Sequence, residues 1–279
     1  MQTTSVSTLL AVPKSESLRV RPAVTLPNEE NKPPSMWRAR MRLDWDQRAR
    51  ERARAYINWP GIPDEEEAFA ASGRADYARY VTPFLARHNI QPQQLQALEI
   101  GCGIGRLARC LVADFAQVTG VDVSPEMVAR ASAYQWPRTR FLAVSGGDLS
   151  GVDDASVDFV LSFAVFQHVP DVDAISGYVR ETARVLRPGG YFHLHMKGLR
   201  TLAAGPWLLE GGYSLNRRLL AAGLTRVPFV RLRFLDTWQG ISISPPVARR
   251  LCACAGLEVL EVECPWTIMQ WVSGRKPPA

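Results

Sequence analysis

The chain has 279 residues, enough for one large domain or two small ones, and its 47% of hydrophobic residues can fill an ordinary globular core. No apolar run approaches the length of about 18 residues that a membrane span needs, so none is expected. The formal charge of +6 is basic, but the excess is concentrated in Arg38, Arg40, Arg42, Arg48, Arg50, Arg52 and Arg54, interleaved with Asp44, Asp46 and Glu51. Without an accompanying nucleic-acid motif this run reads as the solvated face of a helix, and no nucleic-acid partner is expected.

The first 35 residues are rich in Ser, Thr and Pro and have no periodic apolar pattern, so a disordered tail is expected there. From Met36 to Ile57 the spacing of Trp37, Met41, Trp45, Ala49 and Tyr56 is helical, placing an aromatic stripe opposite the arginines. Pro60-Gly61-Ile62-Pro63 ends that pattern, Asp64 offers a cap for a short helix, and a further helix is expected over Asp76 to His88. Residues 36–90 thus form a helical cap ahead of a domain over 91–279.

In that domain the period changes. Ala97 to Ile100, Val118 to Val123, Phe141 to Val144, Val157 to Phe163 and Tyr191 to Met196 are short apolar runs. Amphipathic stretches separate most of them, the clearest carrying Ile175, Tyr178, Val179, Thr182, Val185 and Leu186. Strands alternating with helices predict an α/β fold with a parallel sheet. Residues 197–243, with Trp207, Tyr213 and Trp238, are less regular and read as an insertion over the substrate. Ser244-Pro245 then starts a helix with Val247, Leu251 and Cys254 on one face and Gly256 as its stop. Leu257 to Glu263 and Thr267 to Ser273 are two closely connected strands, which must pair antiparallel.

The five cysteines form no Cys-x-x-Cys pair, and an odd number argues against a disulfide framework, so a reducing, cytoplasmic compartment is expected. His193 and His195 share one face of a strand and are expected to be buried or hydrogen-bonded. No metal site is expected.

The chemistry is carried by the first strand and its turn, Leu98-Glu99-Ile100-Gly101-Cys102-Gly103-Ile104-Gly105-Arg106. Alternate glycines let the backbone turn tightly and approach a ligand. Arg106 follows directly, so the third glycine of the dinucleotide fingerprint is missing. Glu99 is poorly suited to face a pyrophosphate, whereas a ligand with an ammonium and a sulfonium, S-adenosylmethionine, reverses that preference. Asp122 ends the second strand, where a carboxylate can accept hydrogen bonds from both ribose hydroxyls.

These residues resemble the class I S-adenosylmethionine-dependent methyltransferase family over about Gln96 to Lys276. The signposts are the Glu-x-Gly-x-Gly-x-Gly loop, Asp122, the Phe159-Val160-Leu161-Ser162 strand and the Leu186-Arg187-Pro188-Gly189-Gly190 turn. Asp44-Trp45, Arg48, Tyr56-Ile57, the stretch from Ser162 to His168, and Thr237-Trp238-x-Gly240 look like a subset of small bacterial members. The resemblance implies a Rossmann-like three-layer sandwich with a mostly parallel seven-stranded sheet and an antiparallel C-terminal hairpin. It implies that Glu99 and the Gly101 to Gly105 backbone hold the methionyl end, that Asp122 binds the ribose, and that Val123 or Met127 covers adenine. The acid that many relatives carry just after the third strand is absent, and Asp148 in Ser145-Gly146-Gly147-Asp148-Leu149 takes that role from a shifted position. The implied cofactor set is Glu99, Gly101, Cys102, Gly103, Gly105, Asp122, Val123, Met127, Gly147, Asp148, Leu149 and Phe163.

Methyl transfer from a sulfonium is an in-line displacement, so positioning and water exclusion are the protein's main task. His168 lies just past the fourth strand and is either a general base or a pocket-lining residue. Trp45, Tyr56, Gln167 and Trp238 are the candidate acceptor contacts, and a small-molecule methyl acceptor is the expected partner. An RNA or protein methyltransferase and a non-catalytic cofactor-binding protein remain as alternatives. The loop used by amino-methylating DNA enzymes is absent, so DNA adenine methylation is not expected.

Overall fold

The computed structural model describes residues 36–58, 62–198 and 240–279. The expected N-terminal tail, most of the expected insertion, and Trp207, Tyr213 and Trp238 lie outside the described residues. Strands β1 (Gln96–Ile100), β2 (Gln117–Asp122), β3 (Thr139–Ala143), β4 (Val157–Ser162), β5 (Leu186–His195), β6 (Glu258–Glu263) and β7 (Trp271–Arg275) form one sheet in the order β3-β2-β1-β4-β5-β7-β6. The first five pair parallel, while β7 runs antiparallel between β5 and β6. This is the α/β, Rossmann-like architecture expected from the alternating pattern.

Both faces of the sheet are covered, so alternate residues of each central strand enter different cores. On one side Leu98, Ile100, Val160 and Leu194 meet Ile175, Tyr178 and Val179 of α6 (Val172–Val185). Ala248 and Cys252 of α7 (Pro245–Cys254) complete that side. On the other side Ala97, Phe159 and Leu161 meet Phe84 of α3 (Thr82–Arg87) and Leu111 and Phe115 at α4 (Ala108–Asp114). The amphipathic spacing of α6 dictates its seat: Ile175, Tyr178, Val179, Thr182 and Val185 are all buried, and Asp171 caps it by accepting from the Asp173 N–H at 3.0 Å. Helix α5 (Pro125–Ser132) starts as the Ser-Pro pair requires, with the Ser124 hydroxyl accepting from the Met127 N–H at 3.1 Å.

Helix α1 (Met36–Ile57) and α2 (Glu66–Asp76) lie against α5, where Ala49, Ala53, Phe69, Ile104 and Met127 form a third small core. The arginine run does not lie wholly outside, as the stripe model expected. Arg48 is buried on the aromatic face, its guanidinium 4.9 Å from the centre of the Trp45 ring and 5.9 Å from that of Tyr56. A flat guanidinium can stack on an indole, which the simple division into apolar and charged faces ignores. Arg40, Arg50, Arg52 and Arg54 instead meet Asp44, Asp46, Asp64 and Glu66.

Other departures have local causes. Asp64 pairs with Arg52 at 3.4 Å and Glu65 holds the cap position of α2. The expected helix over Asp76 to His88 continues α2 through a wider π turn at Tyr77–Val81, where the Thr82 N–H reaches the Tyr77 carbonyl before Pro83. Proline cannot donate to the ladder, and the widened turn absorbs the interruption. In α7 the buried face is Ala248 and Cys252, whereas Val247 is 43% exposed and Cys254 is exposed. Thr267 to Gln270 form the turn before β7, with Thr267 donating to the Cys264 carbonyl and Gln270 to that of Thr267. Their apolar residues mimic a strand only in composition. No helix among the described residues is long and apolar enough to cross a membrane.

Candidate active site

The sheet order reverses between β1 and β4, so the loops at their carboxyl ends diverge and leave a crevice. A cavity of about 400 Å³ opens there, bounded by the turn after β1, the end of β2, the loop after β4, the end of β5 and helix α1. It brings together Glu99, Gly101, Cys102, Gly103, Asp122, Val123, Met127, Phe163, Gln167, His168, Trp45 and Tyr56, residues that sequence reasoning drew from four separate segments.

The turn itself requires glycine. Gly101, Gly103 and Gly105 have φ of +73°, +53° and +88°, and a Cβ on Gly101 would sit 2.1 Å from a Val165 methyl. The Gly103 N–H and the Ser124 N–H donate to the two oxygens of Asp122, each at 2.9 Å. One carboxylate therefore ties the glycine turn to the end of β2. Burial raises the Asp122 pKa to about 6, against the opposing pull of these backbone donors.

Glu99 is 4% exposed, and burial drives its pKa to about 8, with Arg106 opposing and Asp122 adding to the rise. A backbone N–H of Ala108 serves one oxygen, while Oε2 is buried without a hydrogen-bond partner. Arg106 is itself committed to Asp76 at 2.5 Å. Asn58, at the end of α1, is the converse case. Its Oδ1 lies 2.6 Å from the Ser72 hydroxyl, which also reaches the Phe69 carbonyl at 2.7 Å, and its Nδ2 is buried without an acceptor. Both residues line the same cavity. A bare buried acceptor and a bare buried donor each carry a desolvation cost unless a ligand supplies the missing partner.

The loop after β4 is held by the sheet. Ala164 has φ of +59°, and its N–H donates to His195 Nδ1 at 3.3 Å. Beyond it the Gln167 side-chain amide meets His168 Nε2 at 3.0 Å, and the Trp45 ring abuts His168 edge-on with centroids 5.2 Å apart. Cys102 is buried, and burial raises its thiol pKa well above the ordinary value, so it stays a neutral thiol.

Four expected cofactor contacts do not line the cavity. Gly105 backs onto Trp136, which a Cβ would meet at 2.5 Å. Gly147 lies under the Arg38 guanidinium, and Leu149 is buried with its N–H donating to Glu181 at 2.9 Å. Burial would raise the pKa of Asp148, but hydrogen bonds from Ser145 and Ser150 outweigh it and leave the carboxyl below its ordinary value. The Met41 methyl stands 2.9 Å from where a Gly146 Cβ would be, with a Val123 methyl at 3.3 Å, so α1 reaches into the space between β2 and the loop after β3.

Asn58, Lys197, Met41 and Arg106 line the cavity but were not singled out from sequence. Asn58 follows a predicted helix and precedes Trp59-Pro60-Gly61, and nothing in that stretch distinguishes a ligand-facing amide from a turn residue. Lys197 had one available signal: it directly follows the apolar run Tyr191 to Met196, at the strand end where open α/β sheets bind ligands.

The methyltransferase-domain family matches residues 98–194. A ubiquinone biosynthesis O-methyltransferase of Xanthomonas axonopodis pv. citri is 30% identical over 152 residues, 53% of this chain and 62% of that protein. A 2-methyl-6-phytyl-1,4-hydroquinone methyltransferase of Synechocystis is 36% identical over 101 residues, 36% of this chain and 31% of that protein. The chain thus spans about six-tenths or less of the length of these curated relatives. Among solved structures, a magnesium protoporphyrin IX methyltransferase from Synechocystis with bound S-adenosylhomocysteine has a TM-score of 0.57 at 16% identity, covering 86% of this chain and 99% of that one. A [4+2]-cyclase shares the fold almost equally, with a TM-score of 0.55 at 16% identity over 88% of this chain and 97% of that one. At such identities the likeness carries the fold alone. The family match runs from β1 through the glycine turn and α6 into β5, so this segment is similar to a methyltransferase domain, and the solved structures show that the chain shares the Rossmann-like fold.

Proposed function

We propose that the cavity binds S-adenosylmethionine and that the chain transfers its methyl group to a small organic acceptor. The carrying observation is the pair of unsatisfied buried atoms in one cavity, the acceptor Glu99 Oε2 and the donor Asn58 Nδ2. An amino-acid zwitterion supplies what each lacks: an ammonium for Glu99 and a carboxylate for Asn58. A dinucleotide would set its pyrophosphate at the glycine turn beside Glu99 and leave that acid opposed. Asp122 accepts from the backbone N–H groups of Gly103, Ser124 and Val123, and a carboxylate's acceptor capacity of about four sites leaves room for a ribose hydroxyl. Val123 and Met127 supply the apolar surface for the base.

When bound, the cofactor supplies a methyl group on a good leaving group, so the protein needs to position an acceptor and exclude water. Trp45, Tyr56 and Phe163 form an apolar wall for the acceptor, and Gln167 and His168 present polar edges. With the Gln167 amide donating to its Nε2, His168 acts as an orienting residue of the pocket rather than as a base.

Calorimetry with S-adenosylhomocysteine tests the reading. Micromolar binding is expected, weakened by about 1–3 kcal/mol in Asp122→Ala, the scale of hydrogen bonds to a charged group. No binding by the wild type, or NAD binding in its place, overturns it.

A further inference from the structure

We propose that Lys197 anchors a carboxylate of the methyl acceptor, so that the site takes an organic acid with an apolar, aromatic-sized body. The inference rests on the methyltransferase reading above and adds the substrate class to it.

Lys197 lies two residues past the end of β5, on the side of β1 and β4 opposite β2, and lines the cavity. Its backbone is fixed on both sides. The Met196 N–H donates to the Gln270 carbonyl at 2.8 Å, the Gly198 N–H to the Thr267 carbonyl at 2.7 Å, and the Lys197 carbonyl accepts from Ile243 at 2.8 Å. Three hydrogen bonds to two separate segments fix the backbone from which the side chain reaches the cavity. The side chain shares the cavity wall with Ile268, Phe163 and Trp45.

Among the described residues, Lys197 has no ion-pair or hydrogen-bond partner for its ammonium. Burial lowers its pKa, and no neighbouring carboxylate offsets that shift. Of the other charged groups of the cavity, Arg106 pairs with Asp76, Asp122 accepts from the Gly103 and Ser124 N–H groups, and Glu99, beside Arg106, keeps Oε2 for the cofactor's ammonium in the reading above. His168 meets Gln167. A half-buried, unmatched cation in an apolar wall is unfavourable until an anion joins it. A phosphate dianion calls for more than one cation, and an ordinary phenol is uncharged near neutral pH. A carboxylate matches one ammonium in charge and in hydrogen-bonding capacity.

The test is calorimetry on the full chain, with and without saturating S-adenosylhomocysteine, using benzoate and its neutral counterpart benzamide as probes. Wild type is expected to bind benzoate about tenfold or more tightly than benzamide, the scale of a charge-assisted hydrogen bond. Lys197→Met should bind both equally, and Lys197→Arg should keep the preference. Unchanged far-ultraviolet circular dichroism and thermal midpoint in both variants report an intact fold. Equal affinities in wild type, no binding of either probe up to about 10 mM, or a preference that survives in Lys197→Met overturns the proposal. Failure of S-adenosylhomocysteine to bind wild type would instead count against the methyltransferase reading, which the probe arms without cofactor keep separate.

Discussion

Two pairs of buried titratable side chains stand on this sheet, and their hydrogen bonding differs. Glu99 and Asp122 end β1 and β2, while His193 and His195 lie on β5. His193 Nε2 donates to the Tyr80 carbonyl at 3.1 Å and its Nδ1 meets the Ser273 hydroxyl at 2.6 Å. His195 Nε2 donates to the Ile268 carbonyl at 2.8 Å and its Nδ1 accepts from Ala164. Burial lowers their pKa values to about 3 and about 4, so both are neutral rings with every nitrogen served. The carboxylates are pushed the other way, and Glu99 keeps one oxygen bare at the cavity. Burial is common to both pairs. What separates a structural polar group from a ligand-seeking one is whether its hydrogen-bonding capacity is exhausted inside the protein.

Breaking the aromatic packing around the histidine pair should cost the most and spare binding. Trp271 stacks on His193 with centroids 4.1 Å apart and on Phe163 at 5.3 Å. Trp271→Ala is expected to lower unfolding free energy by about 3–5 kcal/mol, the range for removing a large buried aromatic. Denaturant unfolding reads this, and the protein that remains folded should bind S-adenosylhomocysteine with affinity close to wild type. A large affinity loss in the folded fraction would dissolve the distinction between the two regions.

The unsatisfied side should respond to pH. Because burial raises the folded-state pKa of Glu99 to about 8 from the ordinary 4.5, the neutral form is favoured in the free protein. That contribution to stability is fully present below the unfolded pKa and disappears as pH rises through about 8. A ligand ammonium favours the ionised form, so binding should release a proton and tighten by up to about tenfold per pH unit between about pH 6.5 and 8. Titrations in buffers of different ionisation enthalpy measure that proton. Glu99→Gln should flatten the slope, and a slope that persists would assign it to another group.

The smallest effect sharpens the comparison at one atom. Asn58→Ala removes the bare donor together with the Ser72 hydrogen bond, and should weaken S-adenosylhomocysteine binding by about 0.5–1.5 kcal/mol, the net value of a neutral hydrogen bond. Methionine-free adenosine should bind the variant and the wild type alike, since it carries no carboxylate for Asn58 to meet.

The order and type of the strands were legible in the chain because periodicity is local: a buried parallel strand is a continuous apolar run, and α6 repeats its apolar residues every three to four positions. The glycine turn and Asp122 were legible for a similar reason, since each occupies a fixed place relative to a strand end. Cavity residues from distant segments were harder to read. Trp45 and Tyr56 lie on a helix whose aromatic stripe was visible, but the stripe did not reveal that Arg48 shares it. Gly147 and Leu149 sit after the expected strand, yet the cavity wall near them is formed by Met41, contributed from more than a hundred residues earlier.

By itself the amino-acid sequence determined the secondary elements, the parallel sheet with its antiparallel end, and a strained glycine turn flanked by acids, because each depends on interactions within one element or its immediate neighbour. Only the tertiary structure decided that Glu99 Oε2 and Asn58 Nδ2, buried and without a partner, come to line one cavity together with Lys197. Whether a buried donor or acceptor finds a partner depends on side chains brought in from elsewhere in the chain, and no local pattern encodes that.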